Sequence, residues 1–154
     1  DTHGKHRFVH IPDCDVFLHC GDILQRYGYV GDLGGGVPVL LDFASWLGGI
    51  RAREGCVVIA GNHDRLLEKM GPEKIQSILN RSANKKKGKE GKNVVCHYLQ
   101  NGAVEVGDLV IYGSPWSPKG TTGNRAFQHG QNASNAVGMA LRGISAYSDV
   151  GDAG

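Results

Sequence analysis

Six side chains able to bind a metal ion or carry a proton fall in three short turns: Asp1-Thr2-His3-Gly4, Gly21-Asp22 and Gly61-Asn62-His63-Asp64. Asp1 and Asp22 offer carboxylates, His3 an imidazole and Asn62 an amide oxygen. That mixed oxygen and nitrogen set suits a divalent Mn, Fe or Zn ion. Calcium prefers more oxygens, and a thiolate-selected metal needs cysteines. His63 beside Asp64 adds a proton-capable pair. Each piece alone is ordinary turn chemistry, since Gly-Asp occurs in many turns and Asp-x-His often caps a loop. All three, in this order and each where a strand ends, point to a site.

The strand ends are what give the turns their place. Cys56-Val57-Val58-Ile59-Ala60 is a continuous, mostly β-branched run, which predicts a strand buried on both faces as in a parallel sheet. Val16-Phe17-Leu18-His19-Cys20 predicts a second, ending at Gly21-Asp22. In open α/β sheets ligands bind beyond the carboxyl ends of the strands, and both turns would stand there. Gly61 would allow close backbone approach. Between the strands, residues 28 to 36 carry five glycines and read as a flexible loop. Leu40, Phe43, Ala44, Leu47 and Ile50 then recur at helical spacing, predicting a helix from Val37 to Ala52 with Pro38 in its first turn. Gly71-Pro72 opens another helix, with Ile75, Ile78 and Leu79 on one side. Strand and helix alternate, which predicts βαβ units.

Further along, Asn93 to Leu99 reads as a short strand. Ala103–Val106 and Leu109–Tyr112 around Gly107-Asp108 predict a hairpin, closed by the turn from Gly113 to Pro118. The organised chain is expected to stop near Trp116. Residues 119–154 are rich in Gly, Ser, Asn and Ala and read as a weakly structured continuation, with at best one helix around Ala133 to Leu141.

The 154 residues are enough for one domain with a sizeable core. Hydrophobic residues at 40% and charged ones at 21% exclude a disordered chain. The run at 85–92 holds five lysines and one glutamate, so the net charge of +2 becomes −2 elsewhere. With no aromatic residues interleaved it lacks a stacking platform for single strands. It reads as a solvated surface insertion rather than a nucleic-acid patch. No apolar run is long enough to span a bilayer. Cys14, Cys20, Cys56 and Cys96 are widely spaced with no CxxC, and Cys20 and Cys56 lie in or beside buried strands. They read as free thiols, which favours a reducing, cytoplasmic setting.

The ordered set D-x-H, G-D and G-N-H-[DE] resembles the calcineurin-like metallophosphoesterases, over about residues 1 to 116. Asp15–Asp22, Val58–Asp64 and Ile111–Pro118 are most similar to the metallophosphoesterase-domain-containing branch. The resemblance implies an α/β fold: a partial calcineurin-like sandwich of mixed β-sheets flanked by helices, truncated at both ends. It places an N-terminal part of the domain at 1–118. It implies a metal-dependent phosphoric ester hydrolase, a phosphodiesterase or phosphatase, in which a metal-bridging hydroxide attacks a small-molecule phosphate ester or a nucleotide. Asp1 and His3 would bind the first of two divalent ions (Mn, Fe or Zn), Asp22 both, and Asn62 the second. His63 would face the substrate, oriented by Asp64.

The same resemblance implies three further histidines, in a His-Gly-type turn and a Gly-His-x-His turn, and the Gly-His-x-His motif is not in this sequence. Of the other histidines, His19 reads as structural, His6 and His10 as exposed, His97 as mid-strand and His129 as part of the unpatterned tail. The expectation is therefore one metal site at most in this chain. A catalytically incompetent metal-binding or regulatory fragment is the alternative.

Overall fold

A computed structural model describes residues 1–25, 33–83, 94–118 and 126–129. The lysine-rich run, the glycine-rich stretch at 26–32 and the helix expected around 133–141 lie outside the described residues.

Three parallel strands carry the fold: β1 (Cys14–Cys20), β2 (Ala52–Ile59) and β3 (Cys96–Tyr98), in the order β1-β2-β3. The central strand is β2, and its residues Gly55 to Val58 are buried. Its alternating side chains enter two different cores. Cys56 and Val58, with Ala60 just beyond, pack among Phe43, Leu47, Ile75 and Leu79 on the helical side. Val57 packs with Leu99 and Val106 on the other, joined by the half-buried Ile59, Val104 and Ile111. A strand facing two apolar layers has no polar side to alternate with, so its sequence is a continuous apolar run.

The helical layer is α1 (Leu33–Leu47), α2 (Arg65–Met70) and α3 (Pro72–Ala83). The opposite layer is the hairpin of β4 (Gly102–Val106) and β5 (Leu109–Gly113), turned as expected at Gly107, which takes φ 59°. This is a mixed α/β architecture with parallel and antiparallel sheets flanked by helices.

Several boundaries differ from the sequence expectation. Helix α1 starts at Leu33, inside the stretch read as a loop, and stops at Leu47 rather than Ala52. Glycine propensity is overridden there by packing. A Cβ on Gly36 would stand 2.9 Å from Leu66 Cδ2, so the glycine lets α1 approach α2. Pro38 consequently lies inside the helix, not in its first turn. At the other end the Gly49 and Ile50 amides bond to the Trp46 and Leu47 carbonyls, tightening the last turn before β2 begins. The short α2 was not anticipated; Gly71, at φ 80°, ends it, and Pro72 opens α3 as expected.

Ordered packing also continues past Trp116. Ala126 and Phe127 are fully buried in the main core, and β7 (Gln128–His129) pairs in parallel with β6 (Ser117–Pro118). His129 thus belongs to a strand. His6 is corrected as well: it is buried rather than exposed, in the turn His6–Phe8. Its Nε2 lies 2.9 Å from Asp42 Oδ2, and its ring packs against Phe43 and Trp46. The four cysteines are free thiols, with Cys56 and Cys96 buried side by side across β2 and β3 and Cys20 exposed. Among the described residues no helix is long and apolar enough to cross a membrane.

Candidate metal centre

The ends of β1 and β2 are register partners, Cys20 opposite Ile59, so the turns that follow them emerge side by side. Two glycines let those turns touch. A Cβ on Gly21 (φ 95°) would lie 2.6 Å from the Gly61 amide nitrogen, and one on Gly61 would lie 2.2 Å from Asp22 Oδ1. No larger residue fits either position without separating the turns.

The N-terminal turn is laid on the same structure by backbone bonds. The Thr2 and His3 amides both donate to the Asp22 carbonyl, at 3.1 and 2.9 Å, and the Gly4 amide donates to that of Ile23. From beneath, the buried His19 places Nε2 3.2 Å from Thr2 Oγ1, with its ring edge-on to Phe43. Burial pushes the His19 imidazole down to about 4, so it is neutral at pH 7.

These contacts bring three of the sequence-identified side chains together. The ligand atoms of His3, Asp22 and His63 lie within 4.8 Å of one another. Asp22 Oδ2 is 3.7 Å from His3 Nε2 and 3.9 Å from His63 Nε2. Ligands bound about 2.1 Å from one ion lie at most about 4.2 Å apart, so the two Asp22 spacings each fit a shared divalent ion. Asp1 adds a carboxylate oxygen 3.0 Å from His3 Nε2. His3 Nδ1 donates to the Leu24 carbonyl at 3.0 Å, which fixes the ring's orientation and turns Nε2 toward the carboxylates. The two imidazoles meet edge to face at 4.9 Å.

His3 and Asp22 both have positive φ, 46° and 51°. Two non-glycine residues held in that sparsely populated region at one cluster are a mark of functional sites.

Asp64 is placed differently from a side-chain partner of His63. It is fully buried, and its carboxylate accepts the amides of Ile23 (3.1 Å), Leu24 (2.8 Å) and Gly61 (2.8 Å). It clips the Asp22 turn to its own turn, so what it orients it orients through the backbone. Burial raises its pKa to about 6 against those three amides, which favour the charged form. Asp22 completes the clip by accepting the His63 amide on Oδ1 at 2.9 Å. Asn62 stands on the same half-buried turn, its carbonyl accepting the Ala126 amide at 3.0 Å.

A family model described as calcineurin-like phosphoesterase matches residues 5–135. The chain belongs to that family. It is also similar to UPF0046 protein C25E10.12 of Caenorhabditis elegans, 31% identical over 121 residues, covering 75% of this chain and 39% of that protein. The chain thus spans about two-fifths of the length of this relative. Members of the family are metal-dependent, and among the described residues His3, Asp22 and His63 form a group that could hold an ion.

Some supports of the site were not anticipated from the sequence: Thr2 and its contact with His19, the Leu24 carbonyl, and the returning segment at Ala126. A hydroxyl between two ligand candidates was a readable signal for the first. The other two are backbone groups brought in from 21 and 64 residues away, and no local pattern announces them.

Proposed function

We propose that this chain is the metal-binding N-terminal part of a metal-dependent phosphoric ester hydrolase acting on a phosphodiester or phosphomonoester, with nucleotides among its substrates. The observation carrying this reading is the convergence of His3, Asp22 and His63 at the carboxyl ends of two adjacent parallel strands. Family membership supports the reaction class.

His3 and Asp22 would hold a divalent ion, with Asp1 beside His3 and Asn62 on the neighbouring turn. Mn, Fe or Zn suits these donors. Such an ion supplies positive charge against phosphoryl oxygens and acidifies water. The protein's own contribution is positional and protonic. His3 is held in one orientation by the Leu24 carbonyl. His63, only partly buried, keeps Nε2 within reach of the same space, where a protonated ring can stabilise a transferring phosphoryl group or deliver a proton to a leaving alkoxide. Asp64 holds the turn that carries His63. The free thiols support a reducing compartment.

A second reading is a metal-binding module without turnover. It is favoured by one observation: among the described residues a single His/Cys/Asp/Glu group of this kind is found. Calorimetric titration with Mn²⁺, alongside assays on chromogenic phosphodiesters and phosphomonoesters, separates the two. One ion bound with turnover supports hydrolysis, and one ion bound without turnover supports the module. No binding of Mn²⁺, Fe²⁺ or Zn²⁺ overturns both.

A further inference from the structure

The segment Ala126–Phe127 arrives from far along the chain, and its two consecutive amides donate to the region that follows β2. The Ala126 amide donates to the Asn62 carbonyl at 3.0 Å, and the Phe127 amide donates to Glu68 Oε1 at 2.8 Å. Asn62 opens the turn that carries His63, and Glu68 lies in α2, which leaves that turn; the Glu68 amide is itself bonded to the Asp64 carbonyl. The turn is therefore gripped at both ends by neighbouring amides.

The grip is itself anchored. Phe127 is fully buried, edge-on to Trp116 at 5.6 Å, and its carbonyl accepts the Ser117 amide. The Gln128 side-chain amide bonds to Ser117 Oγ and to the Ala126 carbonyl. Phe127 also has φ 49°, a genuine outlier for a bulky residue, which persists only where surrounding contacts over-determine it. Glu68 is exposed, yet its carboxylate satisfies an amide of a fully buried residue.

We propose that Glu68 and Phe127 are positioning residues: with Ala126 they form a clamp that fixes the Asn62–His63 turn against the Asp22 turn. The inference rests on the reading of that turn as part of the metal centre. It extends it by assigning a residue outside the three motifs a role in metal affinity.

The test compares Glu68→Ala with Glu68→Gln in the whole chain, since Gln keeps a neutral acceptor and Ala keeps none. Both substitutions are at an exposed position, so both proteins fold. Mn²⁺ titration should show Glu68→Ala binding about tenfold more weakly, the lower end of what an outer supporting contact is worth, with Glu68→Gln restoring most of the affinity. In the metal-free proteins, Glu68→Ala should shift or broaden the His63 ring resonances and speed exchange of the Phe127 amide, while Glu68→Gln should not. Unchanged Mn²⁺ affinity with only a lower melting temperature would overturn the clamp. Unchanged His63 resonances in the metal-free Ala variant would overturn it too. If the unaltered chain binds no metal, the metal reading fails by itself, and the His63 resonances still decide the clamp.

Discussion

The two buried ionisable groups beneath the site oppose each other in their dependence on pH, and replacing one should expose the other. His19 falls from 6.5 to about 4 because burial penalises the imidazolium. In that interval the folded state binds fewer protons than the unfolded state, so stability drops as the pH falls from 6.5 to about 4. Asp64 rises from 3.8 to about 6 because burial penalises the carboxylate. It binds more protons folded than unfolded. Its contribution is therefore full below 3.8 and is lost as the pH rises through about 6. Each shift is worth at most about 3 kcal/mol. Over pH 4 to 6 the two nearly cancel, and the chain should show little change in stability from this pair.

His19→Gln removes one limb while keeping a polar group near Thr2 Oγ1 and a similar volume against Phe43. The variant should become more stable on acidification where the unaltered chain does not. The assay is urea unfolding from pH 7.5 to 4 with a chelator present, so that no ion contributes. The difference in unfolding free energy between the two proteins should change by about 3 kcal/mol across the range. Contributions common to both proteins cancel in the difference. Curves parallel within about 0.5 kcal/mol, the usual scatter between independent sites, would refute the assignment of His19 as a buried neutral imidazole.

Three further outcomes are expected. Gly61→Ala forces a methyl group against Asp22 Oδ1 and the Asp22 amide, 2.2 and 2.4 Å away, and should cost about 3 kcal/mol in denaturant unfolding while abolishing metal binding. Asp64→Asn presents an amide donor where three backbone amides need acceptors; it should cost about 3 kcal/mol in the same assay, and an unchanged midpoint would sink the clip assigned to its carboxylate. Mn²⁺ at one hundred times its Kd should stabilise the chain by about 2.7 kcal/mol in thermal unfolding, and His3→Ala should remove that gain.

What was legible in the sequence follows from the range of the interactions concerned. The apolar run through Val58 announced a strand buried on both faces because both neighbouring layers are apolar. The hairpin was legible because Gly107 sits between two short alternating segments. The three turns were legible because their residue types are unusual together. The start of α1 was not, since three glycines argue against a helix unless one knows that Leu66 packs where a side chain would stand. Nor was the burial of His6, which depends on Asp42 and Phe43 reaching it from α1. Residues 126–129 look unpatterned because their order comes from Asn62, Glu68 and Ser117, all distant in sequence. Asp64 shows the same limit: a carboxylate next to a histidine suggests a side-chain pair, while its bonds to the Ile23, Leu24 and Gly61 amides are ones that sequence cannot display.

That last point separates two kinds of residue at the centre. The Asp22 turn is the middle of a three-turn unit, bonded through the Asp22 and Ile23 carbonyls to the N-terminal turn and through the Asp64 carboxylate to the other. Backbone amides and carbonyls thus join the three turns, while Asp22 Oδ1 holds the His63 amide and His3 Nδ1 the Leu24 carbonyl. Substituting His3 or His63 should therefore remove ligand atoms at small expense in stability. Substituting Gly21, Gly61 or Asp64 should lose the ligands and the fold together. Asp22, which is both ligand candidate and clip, belongs to the second group. The positions most informative about metal chemistry are thus the histidines, because only there can binding be lost while the scaffold that presents it remains.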